Sequence, residues 1–167
     1  MSPVLTIILA LFLALLQSTV VSHVRILGVS PDMVLLFVVS WVLLQGRQEG
    51  LLAALVGGLM VDALSGGPFG LTVLSLVVVS LAAAVGERNL FRAAWFLPYI
   101  TIFLATGLFY GVFLFLAQMT GRALPWGPAL WRVALPAMVI NTAFMSLVYT
   151  LTHALSRRLA PPTVKWS

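Results

Sequence analysis

Cysteine is absent from the 167 residues, acidic residues number four, and histidine occurs twice. Without Cys there can be no disulfide, no thiolate metal site and no Cys nucleophile, and the redox compartment goes unread. Charge of either sign is scarce: Asp, Glu, Lys and Arg together make 8% of the chain, against roughly one quarter in a soluble domain. A water-soluble chain of this size needs a polar surface larger than its core, and so few ionisable side chains cannot supply one. What is abundant is apolar surface, at 62% of residues and a mean hydropathy of +1.13. Lipid is therefore the expected solvent. The net charge of +5 does not point to nucleic acid, because the basic residues stand singly or in pairs between apolar runs rather than on one polar face.

Crossing about 30 Å of hydrocarbon takes about 20 helical residues, fewer where protein shields the segment. Six apolar segments qualify, forming one all-α membrane domain over residues 1–167: Pro3 to Val21, Pro31 to Leu44, Gly50 to Leu64, Gly70 to Val85, Trp95 to Met119 and Trp131 to Leu155. The second, third and fourth are short. The first has no Lys or Arg before it and no A-x-A site behind it, so it reads as a retained helix rather than a signal peptide. Breakers fall between segments: Gly28 with Pro31, Gly46, Ser65 through Pro68, Pro98, and Gly121 through Pro128. Trp95, Trp126 and Trp131 stand at segment ends, where the headgroup layer favours an amphipathic ring; Trp41, deep in the second run, is expected to pack. An even number of spans puts both termini on one side. That side collects Arg47, Arg88, Arg92, Arg157, Arg158 and Lys165 against Arg25, Arg122 and Arg132, so the positive-inside rule places both termini in the cytoplasm.

Charges at bilayer depth cost several kcal/mol unless partnered, so the acids carry the most information. Asp32 follows Pro31 at the start of the second helix, where a carboxylate accepts orphan backbone N–H groups and meets the positive end of the helix dipole. Asp62 lies in the last turn of the third helix, where the dipole disfavours an anion, so it needs a partner elsewhere. The turn Ser65-Gly66-Gly67-Pro68-Phe69-Gly70 is predicted to fold back so that Asp62 accepts N–H groups opening the fourth helix; an ion or substrate contact is the alternative. Glu49 and Glu87 neighbour Arg47 and Arg88 and read as solvated charge pairs, or as docking points for a cytoplasmic partner. Arg88 and Arg92, a helical turn apart, read as contacts to anionic lipid, with a partner's acidic group as the alternative. Neither His23 nor His153 has a companion at ligand spacing, so no metal is expected. No Ser-His-Asp set, phosphate-binding Gly loop or paired general acid and base is present, so neither an enzyme nor a cofactor is expected.

Small residues let helix backbones approach closely where no hydrophobic drive acts between helices. Ala10, Ala14, Ser18 and Ser22 line one face of the first helix; Gly50, Ala54, Gly58 and Asp62 line the third; Gly107 and Gly111 form a G-x-x-x-G in the fifth. These pack within the chain or, where spare, against another protein's helix. Gln17, Ser75, Ser80, Thr106, Asn141 and Thr142 are polar groups expected to bond between helices, with a small pocket at Asn141 and Thr142 as the alternative.

The stretch Gly28-Val29-Ser30-Pro31-Asp32-Met33-Val34-Leu35-Leu36 resembles the Pro-Asp-Leu-hydrophobic signature that opens the second helix of MreD proteins. The stretch from Gly57 through Asp62 and Ser65-Gly66-Gly67-Pro68 to Gly70 is similar to that family's G-L-x-x-D-x-x-S-G-x-P-x-G element in order and spacing. Carried over, the signature positions are Pro31, Asp32, Gly58, Asp62, Ser65, Gly66, Pro68 and Gly70, none of them a catalyst. The resemblance implies an inner-membrane scaffold of the bacterial elongation machinery. Such a protein binds MreC and helps connect MreB filaments with the glycosyltransferase RodA and its penicillin-binding transpeptidase. The C-terminal half carries no comparably sharp motif. MreD in turn resembles the six-helix substrate-binding subunits of energy-coupling-factor vitamin transporters. Ala10-Leu11-Phe12-Leu13-Ala14 matches their small-xxx-small partner element, which makes vitamin binding the alternative function. A polar, ligand-sized cavity on the outer side is the feature that would favour it.

Overall fold

The computed structural model describes residues 3–26, 28–89, 96–122 and 125–159. Arg92, Trp95 and Lys165 lie outside the described residues, as do the side chains of Ser22, Glu87 and Arg88. The elements are helical: α1 (Pro3–Thr19), a 3-10 turn (Val21–His23), α2 (Met33–Gln45), α3 (Arg47–Ser65), α4 (Leu71–Asn89), α5 (Leu97–Met119), α6 (Trp126–Ala129), a π-helical stretch (Leu130–Ala134) and α7 (Leu135–Leu159). The last three run on as one rod. Three helices are long and apolar enough to cross a membrane, Arg47–Ser65, Leu97–Met119 and Trp126–Arg158; Pro3–Thr19, Met33–Gln45 and Leu71–Gly86 are apolar but shorter.

Two starts differ by three residues or more from those the sequence suggests, each for a local reason. Gly46, at φ 87°, reverses the chain in a single residue, a conformation that costs Gly little. Arg47, Gln48 and Glu49 therefore form the first turn of α3, which begins before the expected Gly50. The last rod begins at Trp126 rather than Trp131 because Pro128 sits in its first turn, where a missing N–H costs nothing. Pro136 follows the π-helical stretch. The widened turn accommodates a residue that removes one i→i−4 bond and crowds the carbonyl behind it.

Side-chain partners give the relative direction of each helix. Thr6 meets Trp41 and Gln17 meets Val34, so α1 and α2 run antiparallel. A Cβ placed on Gly50 would lie 2.1 Å from Val42 Cγ2, and one on Gly57 2.8 Å from Val34 Cγ1, so α2 and α3 are antiparallel too. Thr106 bonds Asn141 and Gly107 faces Met138, which sets α5 against α7. Consecutive long elements thus alternate in direction.

At the centre stands α2, in which every residue from Val34 to Val42 is buried. A helix apolar on all sides must be enclosed by others, and α1, α3, α4, α5 and α7 all pack on it. Phe37 and Trp41 stack within it at 5.0 Å between ring centres. Small residues of the α1 and α3 stripes pack inside the chain: Ala10, Ala14 and Ala54 are fully buried, and a Cβ on Gly58 would stand 2.7 Å from Val73 Cα. Of the small residues on α5, Gly107 faces the flexible end of Met138 at 3.2 Å, while a Cβ on Gly111 would meet nothing within 4 Å.

Candidate functional site

Asp62 is 3% exposed. Its Oδ2 accepts the backbone N–H of Gly70 at 2.9 Å and of Val73 at 3.2 Å, and its Oδ1 that of Thr72 at 3.1 Å. These are donors that the first turn of a helix leaves without intrahelical partners. An acid at the wrong end of α3 thereby caps α4, where the dipole favours it. The intervening turn is built for this reversal. Gly66 takes the left-handed conformation at φ 63° and ends α3, Pro68 follows where no further helix is wanted, and the Ser65 hydroxyl donates to the Asp62 carbonyl at 3.2 Å. One turn earlier, Gly58 lets α4 approach at Val73. Gly58, Asp62, Ser65, Gly66, Pro68 and Gly70 therefore form one continuous structure.

Pro31 and Asp32 belong to a second polar group. Asp32 Oδ1 accepts the Leu35 N–H at 2.9 Å, an N-cap geometry, while the Asp32 N–H donates to Asn141 Oδ1 at 3.0 Å. Asn141 Nδ2 donates to Thr106 Oγ1 at 3.2 Å, and Gln17 Oε1 accepts the Val34 N–H at 2.8 Å. Side chains from α1, α5 and α7 thus meet at the start of α2. Thr142, grouped with Asn141 in the sequence, instead bonds the Met138 carbonyl of its own helix. Ser75 bonds the Leu71 carbonyl of its own helix, and the buried Ser80 hydroxyl finds no hydrogen-bond partner among the described residues. No hydrogen bond joins the Asp32 and Asp62 groups among the described residues.

A third group went unread in the sequence. Trp41 Nε1 donates to Thr6 Oγ1 at 2.9 Å, and Thr6 Oγ1 donates to the Glu49 carboxylate. Glu49 is half-buried and spent on this chain of bonds, so it is not the solvated partner of Arg47 that its neighbourhood suggests. The available signal was that a buried Trp must place its N–H, and Thr6 is the one hydroxyl in the first half of α1. Thr6→Val keeps the shape but strands the Trp41 N–H. We expect a loss of about 1–3 kcal/mol, read as a lower unfolding midpoint in detergent, with Thr6→Ser close to the parent.

Recesses lie among the described residues as well. A polar cleft of about 460 Å³ opens above the start of α2, lined by Gln17, Arg25, Ser30, Asp32, Tyr110 and Val133 among others. An apolar groove of about 290 Å³ runs between α4 and α5 beside Ala83, Gly86 and Leu104. A second, of about 340 Å³, has Gly107 on one wall and Trp131 and Met138 on the other. Among the described residues no three His, Cys, Asp or Glu side chains come together as a metal site.

A family model described as rod shape-determining protein MreD matches residues 1–159. No curated protein and no solved structure matches the chain.

Proposed function

This chain belongs to the MreD family of rod shape-determining proteins, and from that premise we propose that it is a non-enzymatic scaffold of the bacterial cell-elongation complex. In this reading it lies in the inner membrane, crosses it six times with both termini in the cytoplasm, and holds the single membrane helix of MreC. MreC's periplasmic domain is then presented in the geometry that favours peptidoglycan synthesis. RodA, its penicillin-binding transpeptidase and MreB belong to the same assembly.

The observation that carries the scaffold reading is how the buried polar groups are spent. The buried Asp62, Asn141 and Thr6, and the half-buried Gln17, each bond backbone or side chain of another helix. A fold locked this way suits a part whose task is to hold a partner in one orientation. The alternating helix directions support six crossings. At 13 residues α2 is about 20 Å long, well short of the hydrocarbon layer, but it is enclosed by protein and need not match lipid. The larger share of Arg and Lys on the side of the termini supports the orientation.

Copurification tests the proposal. A tagged chain expressed with MreC is expected to retain it through size exclusion in mild detergent, and deletion of the gene is expected to cost cells their rod shape. Neither result appearing would move the assignment to the second reading, a small-molecule-binding subunit of an energy-coupling-factor type transporter. The polar cleft above α2 is the feature that favours that reading, and tight copurification of a vitamin would establish it.

A further inference from the structure

The cleft above α2 has a physical origin. The other end of α2 is held at Gly46, beside the exposed Arg47, so the shortfall of about 10 Å against the hydrocarbon thickness falls at the Asp32 end. The chain before α2 and the walls of α1, α5 and the π-helical stretch leave this space open as the cleft of about 460 Å³, a size that holds a small polar molecule. Its lining carries both signs of charge. Asp32 is half-buried there, and the groups bonded to or beside its carboxylate, the Leu35 and Val34 N–H and the Gln17 amide, are all neutral. Arg25, exposed, belongs to the same cleft. A carboxylate in a lipid-depth recess gains most from a cationic partner, and a guanidinium is suited to phosphate.

We propose that this cleft binds a zwitterion bearing an ammonium and a phosphate, the ammonium directed to Asp32 and the phosphate to Arg25, as in the headgroup of phosphatidylethanolamine. The proposal rests on the membrane-spanning reading but not on MreC binding. Gln17, Ser30 and Tyr110 supply hydrogen-bonding groups for the linker between the two charges. A lipid headgroup and a soluble phosphoethanolamine share this chemistry.

Native mass spectrometry of the delipidated protein tests it, with equal amounts of phosphatidylethanolamine and phosphatidylglycerol of identical acyl chains. The parent is expected to retain phosphatidylethanolamine about tenfold better, the worth of one charge-assisted contact. Asp32→Asn is the informative variant because Asn caps helices as well as Asp does but carries no charge. It should keep the unfolding midpoint and lose the preference. Arg25→Gln, a surface change, should weaken both phospholipids, and it keeps the test open should Asp32→Asn misfold. Displacement of bound lipid by soluble glycerophosphoethanolamine would make the headgroup alone sufficient; retention against it would assign the site to the lipid. Equal retention of the two lipids by the parent, or an undiminished preference in Asp32→Asn, would overturn the proposal, and MreC copurification unchanged in that case would leave the scaffold reading standing.

Discussion

Replacing Asp62 by Leu is expected to destabilise the protein by about 3–5 kcal/mol, the cost typical of removing one partner from a buried charge interaction. Three backbone donors, at Gly70, Thr72 and Val73, lose their acceptor at once, and each orphaned buried donor costs about 1–3 kcal/mol. Opening of the exposed turn, which lets the freed donors find other partners, recovers part of that sum, which is why the total stays below a simple addition. Against a stability of about 5–15 kcal/mol, such a loss shows directly as a lower unfolding midpoint in detergent and a smaller monodisperse fraction. Asp62→Asn keeps one acceptor oxygen and should lose roughly half as much. The link to function is separable from the link to stability. If the lock positions the surface that MreC reads, MreC recovered per folded Asp62→Asn molecule falls; if it serves the fold alone, that ratio holds while yield drops. An unchanged midpoint in Asp62→Leu would remove the lock as an explanation of the turn.

The Asp62 lock is visible in sequence because two local rules conflict there. A helix end disfavours an anion, and a Gly-Gly-Pro stop followed by Gly before the next apolar run shows where fresh N–H donors begin. Asp32 is legible for the simpler reason that capping is settled within four residues. What is not legible is pairing across the fold. Helical spacing identifies the face that Gly50, Ala54 and Gly58 share, but not that Gly50 receives Val42 of α2 while Gly58 receives Val73 of α4. The bonds from Trp41 to Thr6 and from Thr6 to Glu49 join residues 35 and 43 positions apart, which no local pattern encodes. Element starts fail where one residue has two meanings: Gly46 is a break in the pattern yet a one-residue reversal in space, and Pro128 is a breaker mid-helix yet a starter in a first turn. The G-x-x-x-G of α5 reads in sequence as one feature, and the structure divides it into an occupied position and an open one.

That division leads to the second large effect. Gly58→Leu is expected to cost at least about 3 kcal/mol, the upper end for overpacking, because the first added atom would already stand 2.7 Å from Val73 Cα and 3.1 Å from its N. Backbone cannot swing aside as a side-chain tip can. Moving α4 outward would also draw the Thr72 and Val73 N–H groups away from Asp62, so the clash and the lock fail together. Combined with Asp62→Leu, the loss should be clearly less than the sum of the two, since neighbouring residues acting on one structure are not additive. Gly111→Leu is the matched control, the same exchange on a membrane helix where a Cβ meets nothing within 4 Å. Its unfolding midpoint should stay near the parent's, apart from the small gain in helix propensity that replacing Gly brings. Loss of MreC from a variant that keeps its midpoint therefore reports a helix packed on α5 from outside, because a Cβ at this position meets nothing of the chain itself. Equal destabilisation by Gly58→Leu and Gly111→Leu would mean that close approach of α4 at Gly58 is not what holds the two helices in register.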